Sequence, residues 1–412
     1  MSELISVNEA RAAVLAAVTA PLGSERVPVR EALGRVLAAD AVAPEDVPGF
    51  DNSAMDGFAV RAADTAGAGE GRPITLTVVD ESRAGAPASR AAAAGEAIRI
   101  STGASMPEGA DSVVRLEEAT EADDAIELEL ELAPGRDVRG TGEDVRAGST
   151  VLRAGSELGP AEVGVLVSLA VAEPACVRRP RLAVLCTGDE LLGPDDPMTP
   201  GGVRNSNAYT VPALAVAAGA EVVMVERVAD EPEATRTALA SALGVADVVV
   251  VCGGVSVGRH DHVKQALADL GAEESFWGVA LRPGRPTWFG THRGGPAIGG
   301  ALVFGLPGNP VSAFVTFVLF VRPALRALAG TGDDPRTATA ALAADVPRLP
   351  RRDQMVRCSL ELGDQGWLAH PTGPQGSHVL TSMLGADALA LVEAGGEPAR
   401  VGERVRIELL RA

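Results

Sequence analysis

The sequence predicts an α/β protein of several domains, built around a doubly wound parallel sheet. Residues 248–251 are an unbroken run of valines, which is typical of a strand buried on both faces. Strand-like and helix-like segments alternate over residues 181–330, the pattern of a parallel sheet with helices on both sides. The chain has 412 residues, and that length favours more than one domain.

Composition limits the classes of function. The formal net charge of −19 argues against general binding to nucleic acid or to anionic membranes. No apolar run approaches the length of a membrane span, and Ser6 and Glu9 predict a capped helix rather than a signal peptide. The four cysteines lie far apart, so we expect buried thiols in a reducing cytoplasm and neither a disulfide framework nor a metal cluster.

The first 60 residues are expected to be helical and then irregular. Apolar spacing predicts a helix over residues 6–20 and a second helical stretch over 29–37. Prolines and glycines in residues 43–60 predict a loop, in which Met55 and Phe58 are apolar anchors. This segment is either a functional loop or an ordinary linker with two buried side chains.

The next segment is expected to be a small β domain. Short strand-like runs continue to residue 145, and residues 125–132 alternate apolar and acidic side chains, as a half-exposed strand does. Helical patterning returns over 147–172, so we expect the β segment to be inserted into a helical domain. The predicted domains are an extended helical domain (1–48 and 146–176), an inserted β domain (49–145), an α/β domain (177–330) and a C-terminal β barrel (331–412).

The α/β domain is predicted to bind an anion beyond the carboxyl ends of its strands. Its predicted strands are 181–186, 221–226, 247–252 and 301–306, and its helices begin near Asn207, Pro232, Asp261 and Pro310. Gly253, Gly254 and Gly258 follow the third strand, and the free N–H groups of the next helix favour a phosphate or another anion. Lys264, the only lysine, is either part of that site or a solvated helix charge.

Acidic and basic side chains are expected on the same rim. They are Asp189, Glu190, Asp230 and Asp261, with Arg282 and Arg285. Acids and cations around one crevice suit a phosphate that is chelated through Mg²⁺. Each acid alone could instead cap a helix, but that alternative explains less well why the acids share a rim with paired arginines.

The C-terminal segment, residues 338–412, is strand-like and predicts a small β barrel or sandwich. Its loop 373–383 and its arginines either face an anion or are solvated surface charges. The arginines considered are Arg351, Arg352 and Arg357.

Eight motifs occur in an order that carries a resemblance to a known family. They are FDNSAMDGFAV, STGASMPEGADSVV, GEDV, CTGDEL, CGGVSVG with the following Asp and Lys, RPGRP, GLPGNPVSA, and QGSH with TSM. The set resembles the MoeA family of molybdopterin molybdenumtransferases and is similar to the E domain of gephyrin, over nearly the whole chain. The resemblance implies an elongated four-domain subunit, a sheet domain of the molybdopterin-binding type, and a homodimer formed through the extended helical domain.

The resemblance also implies a reaction in molybdenum cofactor biosynthesis. Molybdate would be inserted into adenylylated molybdopterin in the cytoplasm, with Mg²⁺-dependent release of AMP and with the upstream molybdopterin adenylyltransferase as a partner protein. Carried over by motif, the catalytic residues are Asp56, Thr102, Asp144, Glu190, Asp230, Asp261 and Lys264. Glu190 and Asp230 are the candidates for holding Mg²⁺, and in the family Asp56, Thr102 and Asp144 come from the other subunit.

The substrate sites are assigned in the same way. The pterin and its phosphate are expected at Gly253, Gly254, Ser256, Gly258, Pro307 and Asn309, and molybdate at Arg282, Arg285, Pro286, Arg357 and Ser377. The family commonly has lysines where this chain has Arg282 and Arg285, but arginine still binds an oxyanion, and does so bidentately. Phe58 and Cys186 stand where the family commonly has tyrosine and serine, and neither change removes a proposed acid.

Two other functions are alternatives. One is a pterin-binding scaffold without catalysis, similar to the receptor-clustering role of gephyrin, which the retained acids disfavour. The other is a nucleotide pyrophosphatase similar to CinA, which the additional domains and the RPGRP loop disfavour.

Overall fold

The computed structural model describes residues 4–255, 262–294, 300–331 and 336–410. Before the central sheet the elements are α1 (Val7–Ala16), β1 (Ser24–Arg26), β2 (Ala41–Val42), β3 (Asn52–Ser53), β4 (Gly57–Val60), β5 (Ile74–Ser82), β6 (Glu96–Ile100), β7 (Ser112–Arg115), β8 (Ala119–Ala122), β9 (Ala125–Leu128), β10 (Val138–Arg139), β11 (Thr150–Leu152), α2 (Pro160–Ser168) and β12 (Ala175–Val177).

The remaining elements build the central sheet and the C-terminal barrel. They are β13 (Arg181–Thr187), β14 (Leu191–Leu192), β15 (Val203–Arg204), α3 (Asn207–Ala217), β16 (Glu221–Val228), α4 (Pro232–Val245), β17 (Val248–Cys252), α5 (Val263–Asp269), β18 (Ala272–Trp277), β19 (Leu281–Arg282), β20 (Trp288–His292), β21 (Ala301–Leu306), α6 (Pro310–Thr316), α7 (Arg322–Leu328), β22 (Thr337–Leu342), β23 (Asp353–Gly363), β24 (Gly366–Pro371), β25 (Ala388–Val392) and β26 (Arg404–Leu409).

The first predicted helix forms, but it covers residues 7–16 and not the full predicted range 6–20. In the capping box of α1, the Ser6 hydroxyl accepts a hydrogen bond from the Glu9 backbone N–H (3.2 Å), and the Glu9 carboxylate accepts one from the Ser6 N–H (2.8 Å). Its apolar face packs in the core of the central sheet rather than in a separate helical domain.

The extended region contains less helix than predicted. The helix expected over residues 29–37 is wrong, because only a single 3-10 turn, Val29–Glu31, forms there. The chain turns at Gly34 (φ +70°), and Leu37 then donates a backbone hydrogen bond to Ser156 (2.9 Å), so pairing with a distant segment replaces the helix. Short strand pairs, β1 with β12 and β2 with β11, accompany α2.

The inserted segment forms a six-stranded sheet in the order β7-β4-β6-β5-β9-β8. The expected loop over 43–60 was wrong in part, since it contains β3 and the inner strand β4. Phe58 of β4 is fully buried beneath the Arg99 guanidinium, 4.9 Å from the ring centroid. The strand expected over 125–132 ends at Leu128; β9 forms a hairpin with β8 through the turn at residues 123–124.

The central sheet has the order β16-β13-β17-β21-β20-β18. The first four strands are parallel, as predicted, and β20 and β18 extend the sheet antiparallel at one edge. Side chains of β17 alternate between two cores: Val248, Val250 and Cys252 face α3, α6 and α7, while Val249 and Val251 face α4 and α5. The valine run is therefore buried on both faces, which confirms the doubly wound arrangement.

Residues 310–328 form a continuous helical run through α6, a π-helical turn and α7. By length and composition this run could cross a membrane, which differs from the sequence-based expectation, but 89% of its apolar window is buried inside the protein. It is a core helix of the central sheet.

The C-terminal segment forms the predicted barrel. Neighbouring strands of the barrel pair in the order β23-β24-β22-β26-β25. Strand β25 also pairs with β23, which closes the ring. Strand β19 follows β18, the edge strand of the central sheet, and pairs in parallel with β23 of the barrel. Backbone hydrogen bonds therefore connect the barrel to the α/β domain.

Candidate functional site

A cleft of about 660 Å³ opens at the carboxyl ends of β13, β17 and β21. The sequence-predicted residues that line it are Glu190, Asp230, Gly253, Gly254, Pro286, Pro307 and Asn309. The cleft lies where parallel strands end and helices begin, which is the usual ligand position in open α/β sheets. Ser256, Gly258 and Asp261 lie outside the described residues.

The turn after β17 allows a ligand to approach its backbone closely. Gly254 has a φ of +64°, and a Cβ on it would lie 2.6 Å from Cγ2 of Val263 and 2.9 Å from Oγ1 of Thr187. Only glycine fits this conformation and this space. The backbone of the turn is consequently exposed to whatever occupies the cleft.

Two carboxylates face the cleft without a basic partner among the described residues. Glu190 is exposed and Asp230 is half-buried. The Glu190 carboxylate folds back over Gly188, where a Cβ would lie only 2.6 Å from its oxygen. Asp189 does not line the cleft; its carboxylate accepts a hydrogen bond from the Asp230 N–H (3.1 Å).

The acids suit Mg²⁺ only in combination with a substrate. The described residues hold no group of three or more His, Cys, Asp or Glu side chains that could bind a metal. Mg²⁺ in enzymes of phosphate chemistry commonly uses one or two carboxylates, keeps several waters, and takes its other ligands from substrate phosphates. Glu190 and Asp230 fit that donor set.

The expected arginine pair lies on the rim and not in the cleft. Arg282 and Arg285 are exposed and have no ion-pair partner among the described residues, whereas Pro286 lines the cleft. The Arg285 carbonyl accepts hydrogen bonds from Val279 (3.0 Å) and Thr287 (2.9 Å), which fixes the backbone of the loop. The guanidinium groups are left to solvent.

Arg357 is the most unusual charge in the barrel. Its side chain is fully buried, and burial lowers the pKa of the guanidinium. One nitrogen, Nη2, donates to the carbonyls of Pro374 (3.0 Å) and Gly376 (3.3 Å), while Nε and Nη1 have no hydrogen-bond partner among the residues that the structure describes. No carboxylate of the described residues pairs with it, so an anion would complete its bonding.

The loop that covers Arg357 reaches the cleft. The Ser377 carbonyl accepts a hydrogen bond from Val311 in the first turn of α6 (3.2 Å), and His378 lines the cleft. Ser377 and Arg357 thus lie at the corner where barrel and central sheet meet.

Asp56, Thr102 and Asp144 belong to loops at one end of the inserted β region. The Asp56 carboxylate accepts a hydrogen bond from the Thr102 N–H (2.8 Å). Asp51 accepts bonds from the N–H (2.7 Å) and hydroxyl (2.8 Å) of Thr141, which lower its pKa and tie the loop before Asp56 to the one that carries Asp144. None of the three predicted residues lines the cleft of their own chain.

Lys264 lies on α5 with its Nζ 3.8 Å from the centroid of the Trp277 ring, a distance at which the cation and ring attract each other. The Trp277 Nε1–H donates to the carbonyl of Val255 (2.9 Å), a residue that lines the cleft. The lysine is thereby linked to the glycine turn through one aromatic side chain.

Sequence reasoning missed several cleft residues. They are Cys186, Thr187, Asn205, Ser206, Asn207, Cys252 and His378. The polar run 205–207 leads into α3, which begins at Asn207, and its pattern predicted only a helix start. The signal for a site was the density of hydrogen-bonding side chains at the beginning of a helix.

Comparisons with known protein families match most of the chain, in three parts. Residues 5–170 match the MoeA N-terminal region (domains I and II), residues 183–327 the probable molybdopterin binding domain, and residues 339–410 the MoeA C-terminal region (domain IV).

Individual relatives agree with this division. The chain is 34% identical to a molybdopterin molybdenumtransferase of Haemophilus influenzae, over 98% of both chains. It is 36% identical to that of Bacillus subtilis, over 94% of this chain and 90% of the relative. The crystal structure of a molybdopterin biosynthesis moeA protein from Pyrococcus horikoshii OT3 matches with a TM-score of 0.82 and 31% identity, over 99% of this chain and 100% of the other.

Proposed function

The chain belongs to the MoeA family of molybdenum cofactor biosynthesis enzymes, and we propose that it inserts molybdate into adenylylated molybdopterin, with Mg²⁺-dependent release of AMP. The observation that carries the proposal is the cleft, which joins the glycine turn, the loop 307–309 and two unpaired carboxylates in one space. The backbone of the turn and the side chain of Asn309 hold the pterin and its phosphate.

Glu190 and Asp230 are the residues that would hold Mg²⁺. When bound, the ion offsets the charge of the pyrophosphate-like link and stabilises the negative charge that develops as AMP leaves. The two side chains are close to the glycine turn and have no basic partner within the described part of the chain, so their charge is available. Without such a cation, they would repel an anionic substrate.

We assign molybdate to the corner formed by Arg357, Ser377 and Pro286. The unpartnered Nε and Nη1 of Arg357 support this assignment, because a tetrahedral dianion supplies the acceptors that the protein does not. Arg282 and Arg285 are exposed in the loop that ends at Pro286, and their charges would attract the anion toward this corner.

A homodimer is part of the proposal. Asp56, Thr102 and Asp144 do not line the cleft of their own chain, so a second subunit is the source from which they would complete it. Exposed apolar side chains of the extended region, Leu33, Val42 and Val167, also call for a partner surface. We further propose a cytoplasmic enzyme that receives its substrate from the upstream molybdopterin adenylyltransferase.

One incubation separates the proposal from its alternatives. The purified protein is mixed with adenylylated molybdopterin and Mg²⁺, with or without molybdate, and AMP and active cofactor are measured. The proposed enzyme releases AMP in a molybdate-dependent way and forms active cofactor. A non-catalytic scaffold binds the pterin without AMP release, and a CinA-like pyrophosphatase releases AMP whether or not molybdate is present.

A further inference from the structure

Two cysteines lie side by side on the floor of the cleft. Cys186 on β13 and Cys252 at the end of β17 are register partners on adjacent parallel strands, and both line the cleft. They are 0% and 2% exposed. The other two cysteines, Cys176 and Cys358, are buried in separate cores.

The geometry suits a bond between the two sulfur atoms. Adjacent strands lie about 4.7–4.9 Å apart, and disulfides form when the Cα atoms are about 4.4–6.8 Å apart. Register partners on parallel strands point to the same face of the sheet, and Cys186 and Cys252 belong to one core cluster. Asn205 lines the same cleft.

The thiols differ in reactivity. The hydrogen bond from Cys252 lowers the pKa of Cys186, and Asn205 acts in the same direction. The same bond, together with burial, raises the pKa of Cys252. Burial raises the pKa of Cys358 to about 12 and also raises that of Cys176. Cys186 is therefore the member of the pair that favours the thiolate, and Cys252 is the thiol beside it.

We propose that Cys186 and Cys252 form a reversible disulfide when a peroxide enters the cleft, and that this disulfide weakens binding of the pterin substrate. The Cys186 thiolate attacks one oxygen of hydrogen peroxide, the O–O bond breaks, and a sulfenic acid and hydroxide form; the hydroxide takes up the proton. The Cys252 thiol then attacks the sulfenic sulfur, the S–S bond forms, and water leaves. Two thiols and one peroxide give one disulfide and two waters.

The effect on binding rests on the proposed function of the cleft. Forming the S–S bond draws the ends of β13 and β17 together beneath the cleft, and Cys252 is the residue directly before Gly253. The backbone of the glycine turn, which is proposed to hold the pterin phosphate, is displaced with Cys252. We expect about tenfold weaker binding, the effect of losing one hydrogen bond between that backbone and the phosphate.

The disulfide is tested first, without any substrate. The folded full chain is treated with hydrogen peroxide, alkylated, digested and analysed by mass spectrometry, before and after dithiothreitol. We expect a Cys186–Cys252 cross-linked peptide that dithiothreitol removes. Cys176→Ala should give the same cross-link, and Cys186→Ala should give none. Absence of the cross-linked peptide at peroxide concentrations that form it in a dithiol peptide would overturn the proposal.

The second measurement is calorimetric binding of molybdopterin to reduced and oxidised protein, with each variant compared to its own reduced form. Wild type and Cys176→Ala should bind more weakly after oxidation and recover with dithiothreitol, whereas Cys186→Ala should not change. A cross-link without any change in affinity would refute the effect on binding. Failure of the reduced wild type to bind molybdopterin would refute the proposed function instead, and leave the disulfide result standing.

Discussion

Replacing Arg357 with methionine tests where molybdate binds. The guanidinium is fully buried, donates to two backbone carbonyls through Nη2, and leaves Nε and Nη1 unpartnered. A buried charge in this state lowers stability, unless an anion joins it. Arg357→Met keeps much of the volume and removes the charge.

The expected effects on stability and on binding have opposite signs. A charge-assisted hydrogen bond to molybdate contributes about 1.5–3 kcal/mol, so its loss weakens molybdate binding about ten- to a hundredfold. Replacing buried ionic groups by apolar ones of similar size is often neutral or stabilising by about 1–4 kcal/mol. We therefore expect the free energy of unfolding of Arg357→Met to be equal to or higher than that of the wild type.

The assay measures AMP release against molybdate concentration at fixed adenylylated molybdopterin and Mg²⁺, with urea unfolding in parallel. Arg285→Met is the matched control: Arg285 is exposed, where a single charge contributes about 0–1 kcal/mol, so we expect at most about a fivefold change. If the molybdate dependence of AMP release is unchanged in Arg357→Met but strongly altered in Arg285→Met, molybdate binds at the rim beside Arg285 and not at Arg357. If Arg357→Met lowers the free energy of unfolding by more than about 3 kcal/mol, the guanidinium has a stabilising partner within the protein and does not need an anion.

Three further predictions concern the cleft and the assembly. Glu190→Gln should keep the fold, because the side chain is exposed, and lose most turnover at every Mg²⁺ concentration, as measured by AMP release. Asp56→Ala and Glu190→Ala subunits, each inactive alone, should regain partial activity after subunit exchange. Each site would take Glu190 from one subunit and Asp56 from the other, so one of the two sites in a mixed dimer has both residues. Gly254→Ala should lower stability by about 1–3 kcal/mol in urea unfolding, since its φ of +64° and the contact with Val263 exclude a Cβ.

Each of these has a result that would contradict it. Near-normal turnover of Glu190→Gln at saturating Mg²⁺ would show that the Glu190 carboxylate is not needed to hold the metal. If no activity returns although labelling confirms subunit exchange, the active site is not shared between the two subunits. For Gly254, the control is Gly244→Ala on α4, where a Cβ meets nothing within 4 Å; equal stability of both variants would show that the turn relaxes.

Local patterns predicted the elements well where one physical signal dominated. The valines of β17 are buried on both faces, and the Ser6–Glu9 capping box forms, because each depends on residues that are close in sequence. The stretch 29–37 was misread, because its backbone groups pair with a segment more than a hundred residues away. No pattern within nine residues carries that information.

By itself, the sequence determined the parallel sheet, the glycine turn with its two neighbouring acids, and the barrel, since periodicity and glycine placement express local backbone geometry. Only the tertiary structure decided which charges are buried. Arg357 and Arg285 are both arginines near proposed anion loops, yet one is enclosed with unpartnered nitrogens and the other is solvated. The same holds for Cys186 and Cys252, which are 66 positions apart in the chain and become neighbours only because β13 and β17 pair. Burial and proximity between distant segments are properties of the packed chain, and they set the chemistry of its side chains.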